Sequence, residues 1–174
     1  MKDKLATPID LITILGPTAS GKTCLAVALA ELLGGEIISA DSRQVFRGMD
    51  IGSGKDLHEY KQVPYHLIDI VDAGSEFSVY EFQRRFLEVF SEITNRNVMP
   101  VLCGGSGMYL DAILRGYRMV EVPYNNALRL ELSEKNDAEL VEELARIRVN
   151  QHNSTDQLDR DRTIRAIEIA RGEV

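Results

Sequence analysis

The sequence predicts an α/β fold: a parallel sheet with helices on both faces, followed by a helical C-terminal segment. Three observations lead there. The stretch GPTASGKT, Gly16 to Thr23, joins an apolar run to a helical one. Apolar runs and amphipathic stretches then alternate as far as Gly116, and beyond it nothing reads as another strand. Strands alternating with helices at this pace form parallel sheets covered on both faces.

In chain order, Ile9 to Leu15 reads as a buried strand, and Cys24 to Leu33 as a helix ended by Gly34-Gly35. Between them the spacing G-x-x-x-x-G-K-[ST] is that of a P-loop, which makes the expected sheet P-loop NTPase-like. At average glycine usage the four fixed positions coincide by chance in roughly one chain in a few hundred of this length, and the strand–helix context lowers that further. Gly16 and Gly21 allow a tight turn, so that the amides of Pro17-Thr18-Ala19-Ser20 and their neighbours surround one anion at a helix N-terminus. In that arrangement Lys22 reaches the terminal phosphate and Thr23 offers its hydroxyl to Mg²⁺.

Glu36 to Asp41 is a second strand ending on an acid, and Ser42 to Gln44 opens one helical turn and a loop. Gly52 to Gln62, polar and glycine-rich, is expected as mobile surface, and Tyr65 to Val71 as a third strand. Ser78 caps a long amphipathic helix with Glu81 as its capping-box partner. Val98 to Cys103 is a fourth strand, and Gly104-Gly105-Ser106-Gly107 a second glycine turn into a helix near Met108. Leu128–Leu132, Ala138–Val149 and Arg160–Arg171 read as helices. The domain reading is therefore residues 1–118 as the α/β core and 119–174 as a helical segment packed on it.

Composition excludes several classes. The chain has 174 residues, 44% of them apolar and 27% charged, enough for a core without disulfides or a structural metal. Cys24 and Cys103 are expected as small core residues, and His58, His66 and His152 form no ligand spacing. No signal-type segment or membrane-length apolar run is present, so the expectation is a cytoplasmic protein and no membrane partner. The net charge of −7 is unlike that of a self-sufficient nucleic-acid binder.

The rule that ligands bind outside the carboxyl ends of parallel strands gathers Gly16–Thr23, Asp41 and Gly104–Gly107 at one rim. Asp41 is read either as general base or as support for Mg²⁺ and the following turn. Asp69, after His66-Leu67-Ile68, competes for the metal-supporting role. Ser106 offers a hydroxyl to a substrate amine or hydroxyl, while arginines such as Arg129 and Arg165 are ordinarily solvated.

With these residues in view, the chain resembles the tRNA dimethylallyltransferases, also called tRNA isopentenyltransferases, from about Ile12 to Gly172. Four blocks carry the resemblance: GPTASGKT; Ile37 to Gly52, IISADSRQVFRGMDIG; Val63 to Asp69, VPYHLID; and Gly104 to Leu110, GGSGMYL. The family moves a dimethylallyl group from its diphosphate to N6 of adenosine 37 in tRNA. The resemblance implies that Lys22, Thr23 and the loop amides bind dimethylallyl diphosphate with Mg²⁺. It implies that Asp41 is the base near the adenine amine, with Ser106, where a Thr is usual, assisting. Ser42, Arg43 and Gln44 would meet the tRNA, as would Arg129 and the block containing Asp161, Arg162 and Arg165. The target base would leave its stack for the slot between the two glycine loops.

Phe46 stands where the family commonly has Tyr. Family members also continue past this chain with helices and basic residues that grip the anticodon stem. The expectation is therefore a monomer that binds the diphosphate better than tRNA and transfers weakly. Two rivals remain: a small-molecule P-loop kinase using ATP, against which no arginine-rich lid follows the second glycine turn, and a non-catalytic nucleotide-binding remnant, which has no physical need for Lys22, Thr23, Asp41 and Ser106 together.

Overall fold

The computed structural model describes residues 9–147 and 159–172. Four parallel strands form one sheet: β1 (Ile12–Leu15), β2 (Glu36–Ala40), β3 (Tyr65–His66) and β4 (Pro100–Gly104), in the spatial order β1-β4-β2-β3. All five residues of β2 and of β4 are buried, as central strands covered on both faces require. Ile37 pairs with Val101, and Ala40 with Gly104, so the two strands end level at one rim.

The period of two along a strand sorts the side chains. Ile37, Val101 and Cys103 face helix α1 (Lys22–Leu33), packing with its Ala26, Val27 and Ala30. Ile38, Ala40 and Leu102 face the other way, onto Phe82, Phe86 and Ile93 of α2 (Val79–Asn95) and Tyr109 of α3 (Gly107–Leu114). Phe82 and Tyr109 stack with ring centroids 4.0 Å apart. Each such fully buried large apolar side chain contributes about 1.5–3 kcal/mol. The expected helix signals are present: α1 ends on left-handed Gly34, whose N–H reaches Ala30, and Ser78 and Glu81 form the reciprocal capping box of α2.

Several expectations are corrected. The third strand stops at His66, because Leu67 (φ 62°) and Asp69 (φ 54°) take left-handed backbone; only Val71 pairs again, singly, with Phe46. Ser42 to Gln44 is a turn rather than a helix. The segment 52–62 is not open surface: it holds a 3₁₀ turn, Leu57–Tyr60, and buries Ser53, Lys55 and Tyr60. Cys24 is exposed, whereas Cys103 is buried.

The chain divides into two compact units, up to Arg118 and from Met119. The second contains α4 (Asn126–Ser133), α5 (Asp137–Ile147) and α6 (Arg160–Gly172). Leu128, Leu132, Leu140, Leu144, Ile164 and Ile167 form its own core. The part of the α5 expectation at Arg148 and Val149 lies outside the described residues, as does His152.

Candidate active site

The loop between β1 and α1 leads into the uncapped N-terminus of a helix. Gly21 stands at the N-cap of α1 with φ 81°, a conformation that glycine adopts without strain. The first backbone bond of the helix runs from Leu25 N–H to Gly21 O, and the first turn carries neither a side-chain cap nor an acidic residue. The amides of Lys22, Thr23 and Cys24 therefore lie at the positive end of the helix with no helical acceptor of their own. Lys22 Nζ donates to Pro17 O at 2.6 Å, so the ammonium is folded back over the loop it serves.

A cavity of about 360 Å³ opens beside this loop. Thr18 to Cys24 line one side; Asp41, Ser53, Tyr60 and Cys103 are among the residues on the others. Burial pushes the Cys103 thiol up to about 11, with Lys22 opposing the shift and Asp41 adding to it, and burial also raises the Tyr60 phenol. Both groups are thus neutral at physiological pH, and the acidic and basic side chains on the cavity wall are Lys22, Asp41 and Glu59.

Asp41 follows the last residue of β2, and its Oδ1 accepts from Arg43 N–H at 2.9 Å, an Asx turn that fixes the carboxylate. Ser106, the N-cap of α3, joins the two rim loops: its Oγ accepts from Ser42 N–H at 2.8 Å and donates to Ser42 Oγ at 3.1 Å, and its N–H donates to Ala40 O. Arg43 is exposed. Gln44 is buried, accepting from Ser39 Oγ at 3.0 Å and donating to Gly54 O at 3.1 Å, so its amide shapes the cavity wall. Asp69 is not among the lining residues. Its Oδ1 lies 2.6 Å from Lys55 Nζ, which also holds Asp50 Oδ1 at 3.0 Å and Phe46 O at 2.8 Å. Hydrogen bonds to Asp69 and Asp50 outweigh burial and raise the Lys55 ammonium, which stays charged.

In the second unit, Arg129 of α4 and Arg165 of α6 come together on Glu168, while Asp161 and Arg162 are exposed on the first turn of α6. The side chain of Glu168 is 1% exposed. Sequence reasoning missed Glu168, Ser53 and Tyr60. A signal for Glu168 exists, since it shares the spacing of Ile164 and Ile167 and so falls on the apolar face of α6. For Ser53 and Tyr60 no local signal does, because their burial depends on contacts distant in sequence.

Among the described residues no three His, Cys, Asp or Glu gather as a metal cage, and no helix is long and apolar enough to cross a membrane.

Comparison with known proteins bears on this geometry. The family model described as IPP transferase matches residues 44–173. The tRNA dimethylallyltransferase 2 of Trichlorobacter lovleyi is 65% identical over 167 residues, 96% of this chain and 55% of the relative. Its namesake in Pelobacter propionicus is 63% identical, over 95% of this chain and 53% of its own length. The crystal structure of a full-length tRNA isopentenylpyrophosphate transferase from Bacillus halodurans superposes with a TM-score of 0.62 at 38% identity, covering 93% of this chain and 55% of that one. A eukaryotic dimethylallyltransferase described as acting on tRNA gives 0.72 at 26% identity, over 91% of this chain and 40% of its own. The chain spans about half the length of the curated relatives it matches. On the family match and these identities, the chain belongs to the IPP transferase family, that of the tRNA dimethylallyltransferases.

Proposed function

We propose that this chain carries the diphosphate-binding and catalytic part of a tRNA dimethylallyltransferase. The reaction would transfer a dimethylallyl group from dimethylallyl diphosphate to N6 of adenosine 37. The observation that carries this reading is one cavity with the anion loop Thr18–Cys24 on one side and the fixed carboxylate of Asp41 on another.

The adenine amine is a poor nucleophile because its lone pair is delocalised into the ring. As N6 bonds to C1 of the dimethylallyl group, the C–O bond breaks and diphosphate departs. The N6 proton goes to Asp41, a transfer that contributes ~10²–10⁴-fold. Lys22 and the amides around Gly16, Gly21 and Thr23 stabilise the charge growing on the leaving diphosphate. Ser106, bonded to the N–H and the Oγ of Ser42, would hold the Asp41 turn beside the amine. The hard oxygen of Thr23 would suit Mg²⁺. When bound, that ion supplies charge neutralisation of the leaving group.

Exposed Ser42 and Arg43 reach the RNA beside the cavity, with Gln44 shaping its wall; Arg129, Asp161, Arg162 and Arg165 form the second contact. The protein works as a monomer in the cytoplasm.

The test mixes the chain with labelled dimethylallyl diphosphate, Mg²⁺ and an anticodon stem-loop bearing unmodified adenosine 37, beside Lys22→Ala. Label on the RNA that vanishes in the variant is the expected result. Phosphoryl transfer from ATP to a small alcohol, with no preference for the prenyl diphosphate, would replace this reading with a kinase.

A further inference from the structure

We propose that Tyr60 is a specificity-determining residue, whose ring closes the cavity and limits the hydrocarbon tail of a bound diphosphate to a single dimethylallyl unit. The proposal rests on the dimethylallyl diphosphate reading above and deepens it, and it concerns the first unit alone.

Tyr60 carries the one aromatic ring among the described residues that line the cavity. It is 4% exposed, and together with Cys103 it belongs both to the cavity wall and to the apolar core on the α1 face of the sheet. That core also holds Ala26, Ile37, Val63 and Ile68. At Tyr60 and Cys103 the cavity therefore meets hydrocarbon, and the ring occupies space that a longer tail would need. The ring is held where it stands. Tyr60 closes the 3₁₀ turn, its carbonyl accepts from Val63 N–H at 2.9 Å, and its ring centroid lies 4.7 Å from that of Tyr65. A side chain packed into a core in this way does not yield to a longer ligand without strain.

Charge sorts the two ends of the ligand. Lys22 and the amides at the start of α1 suit the diphosphate head. Burial keeps the Cys103 thiol and the Tyr60 phenol neutral, and Glu59, next to Tyr60, adds a carboxylate to the lining. A carboxylate repels a diphosphate, so the uncharged tail is the part that lies toward Tyr60. An aromatic face and a thiol are suited to contact with hydrocarbon. A group with a polar edge suits the place poorly. Ser39 Oγ donates to Gln44 Oε1 at 3.0 Å and Gln44 Nε2 donates to Gly54 O at 3.1 Å, so the hydroxyl and amide of the lining are already engaged with protein.

The experiment measures the affinity of the full chain, with Mg²⁺ present, for inorganic, dimethylallyl and geranyl diphosphate. The same titrations are made with Tyr60→Ala, Tyr60→Leu and Tyr60→Phe. Geranyl diphosphate carries one further isoprene unit on the same head. The parent should bind dimethylallyl diphosphate more tightly than inorganic diphosphate and prefer it to geranyl diphosphate by at least roughly tenfold, the worth of a single methylene in an apolar pocket. Tyr60→Ala should remove that preference. The ratio of the two prenyl affinities is the readout, because any change at the diphosphate head cancels in it. Tyr60→Phe keeps the ring and should keep the ratio. Should circular dichroism find Tyr60→Ala unfolded, Tyr60→Leu decides, with a ratio shifted in the same direction. A parent that binds both prenyl diphosphates equally, or folded variants without the ring that keep the parental ratio, overturns the role of Tyr60 and leaves the diphosphate site standing. Inorganic diphosphate bound as tightly as dimethylallyl diphosphate overturns the tail contact in the same way. Binding of none of the three overturns the reading of the site and this proposal together.

Discussion

Gly104 lies against Ala40 so closely that a Cβ at 104 would stand 2.2 Å from the Ala40 carbonyl oxygen and 2.7 Å from its Cβ. The two residues end β4 and β2 in register, and the missing side chain lets the rim loops converge. A Cβ on the next residue, Gly105, would lie 3.1 Å from Gly16 O. The second glycine turn thus packs on the first, and Ser106 within it bonds to Ser42 after β2.

Gly104→Ala is therefore expected to push β4 from β2 and destabilise the fold by about 1–3 kcal/mol, the usual range for overpacking. Urea unfolding gives the stability change, and diphosphate titration should detect a weaker site. A variant with parental midpoint and affinity would remove the close approach from the argument.

Lys55 follows Ser53 and Gly54 of the cavity lining, and its own side chain is fully buried between Phe46 O and the carboxylates of Asp50 and Asp69. Lys55→Met leaves that carbonyl and one half-buried carboxylate without their donor, which should cost about 1–3 kcal/mol. Because Asp69 is 34% exposed, water restores part of what is lost. In a double-mutant cycle Asp69→Asn should cost far less when combined with Lys55→Met than alone. Additive losses would mean that the two residues do not act as a pair.

The glycine turn between β1 and α1 was legible because its residues are fixed by local geometry: glycines for the turn and a helix that starts directly after it. The same holds for the Ser78–Glu81 cap and for the central strands, whose apolar runs report burial on both faces. What escaped depends on partners far along the chain. Lys55 looks like a surface residue until Asp69, fourteen positions on, is folded against it. The apolar residues from Tyr65 to Val71 look like one strand. Left-handed Leu67 and Asp69 break it, and the Ile70 and Val71 amides bond to Val45 instead. Cys24 reads as core from helix composition, yet α1 turns Ala26, Val27 and Ala30 inward and leaves that position outside.

Asp41 and Ser106 should separate in their effects. Asp41→Asn keeps the Asx turn, since its amide oxygen can still accept from Arg43 N–H, and removes the proton acceptor. Turnover at saturating substrates should fall ~10²–10⁴-fold with diphosphate affinity little changed. Ser106→Ala frees Ser42 and should raise the KM for RNA more than it lowers kcat. Normal transfer by Asp41→Asn would sink the base assignment.

Acid should weaken the fold through Glu36 as well as Glu168. Arg96 donates to both carboxylate oxygens of Glu36, at 2.6 and 2.8 Å, and His66 Nε2 lies 2.7 Å from one of them. Against the opposing effect of burial, these bonds hold the Glu36 carboxyl down at about 2, from an ordinary 4.5. Burial works against the charge of Glu168 too, but Arg129, Asn125 and Arg165 hold its carboxyl at about 2 as well. A carboxyl depressed in the folded state binds fewer protons there than in the unfolded chain between those two values. Its stabilisation is complete above pH 4.5 and drains away as pH falls toward 2, at up to about 1.4 kcal/mol per pH unit for each group. Urea midpoints of the parent should hold from pH 7 to 5 and then decline. The gap between parent and Glu36→Gln should be constant above pH 4.5 and close by pH 2. A gap that keeps its size through that window would show that the ionised carboxylate contributes nothing to the fold.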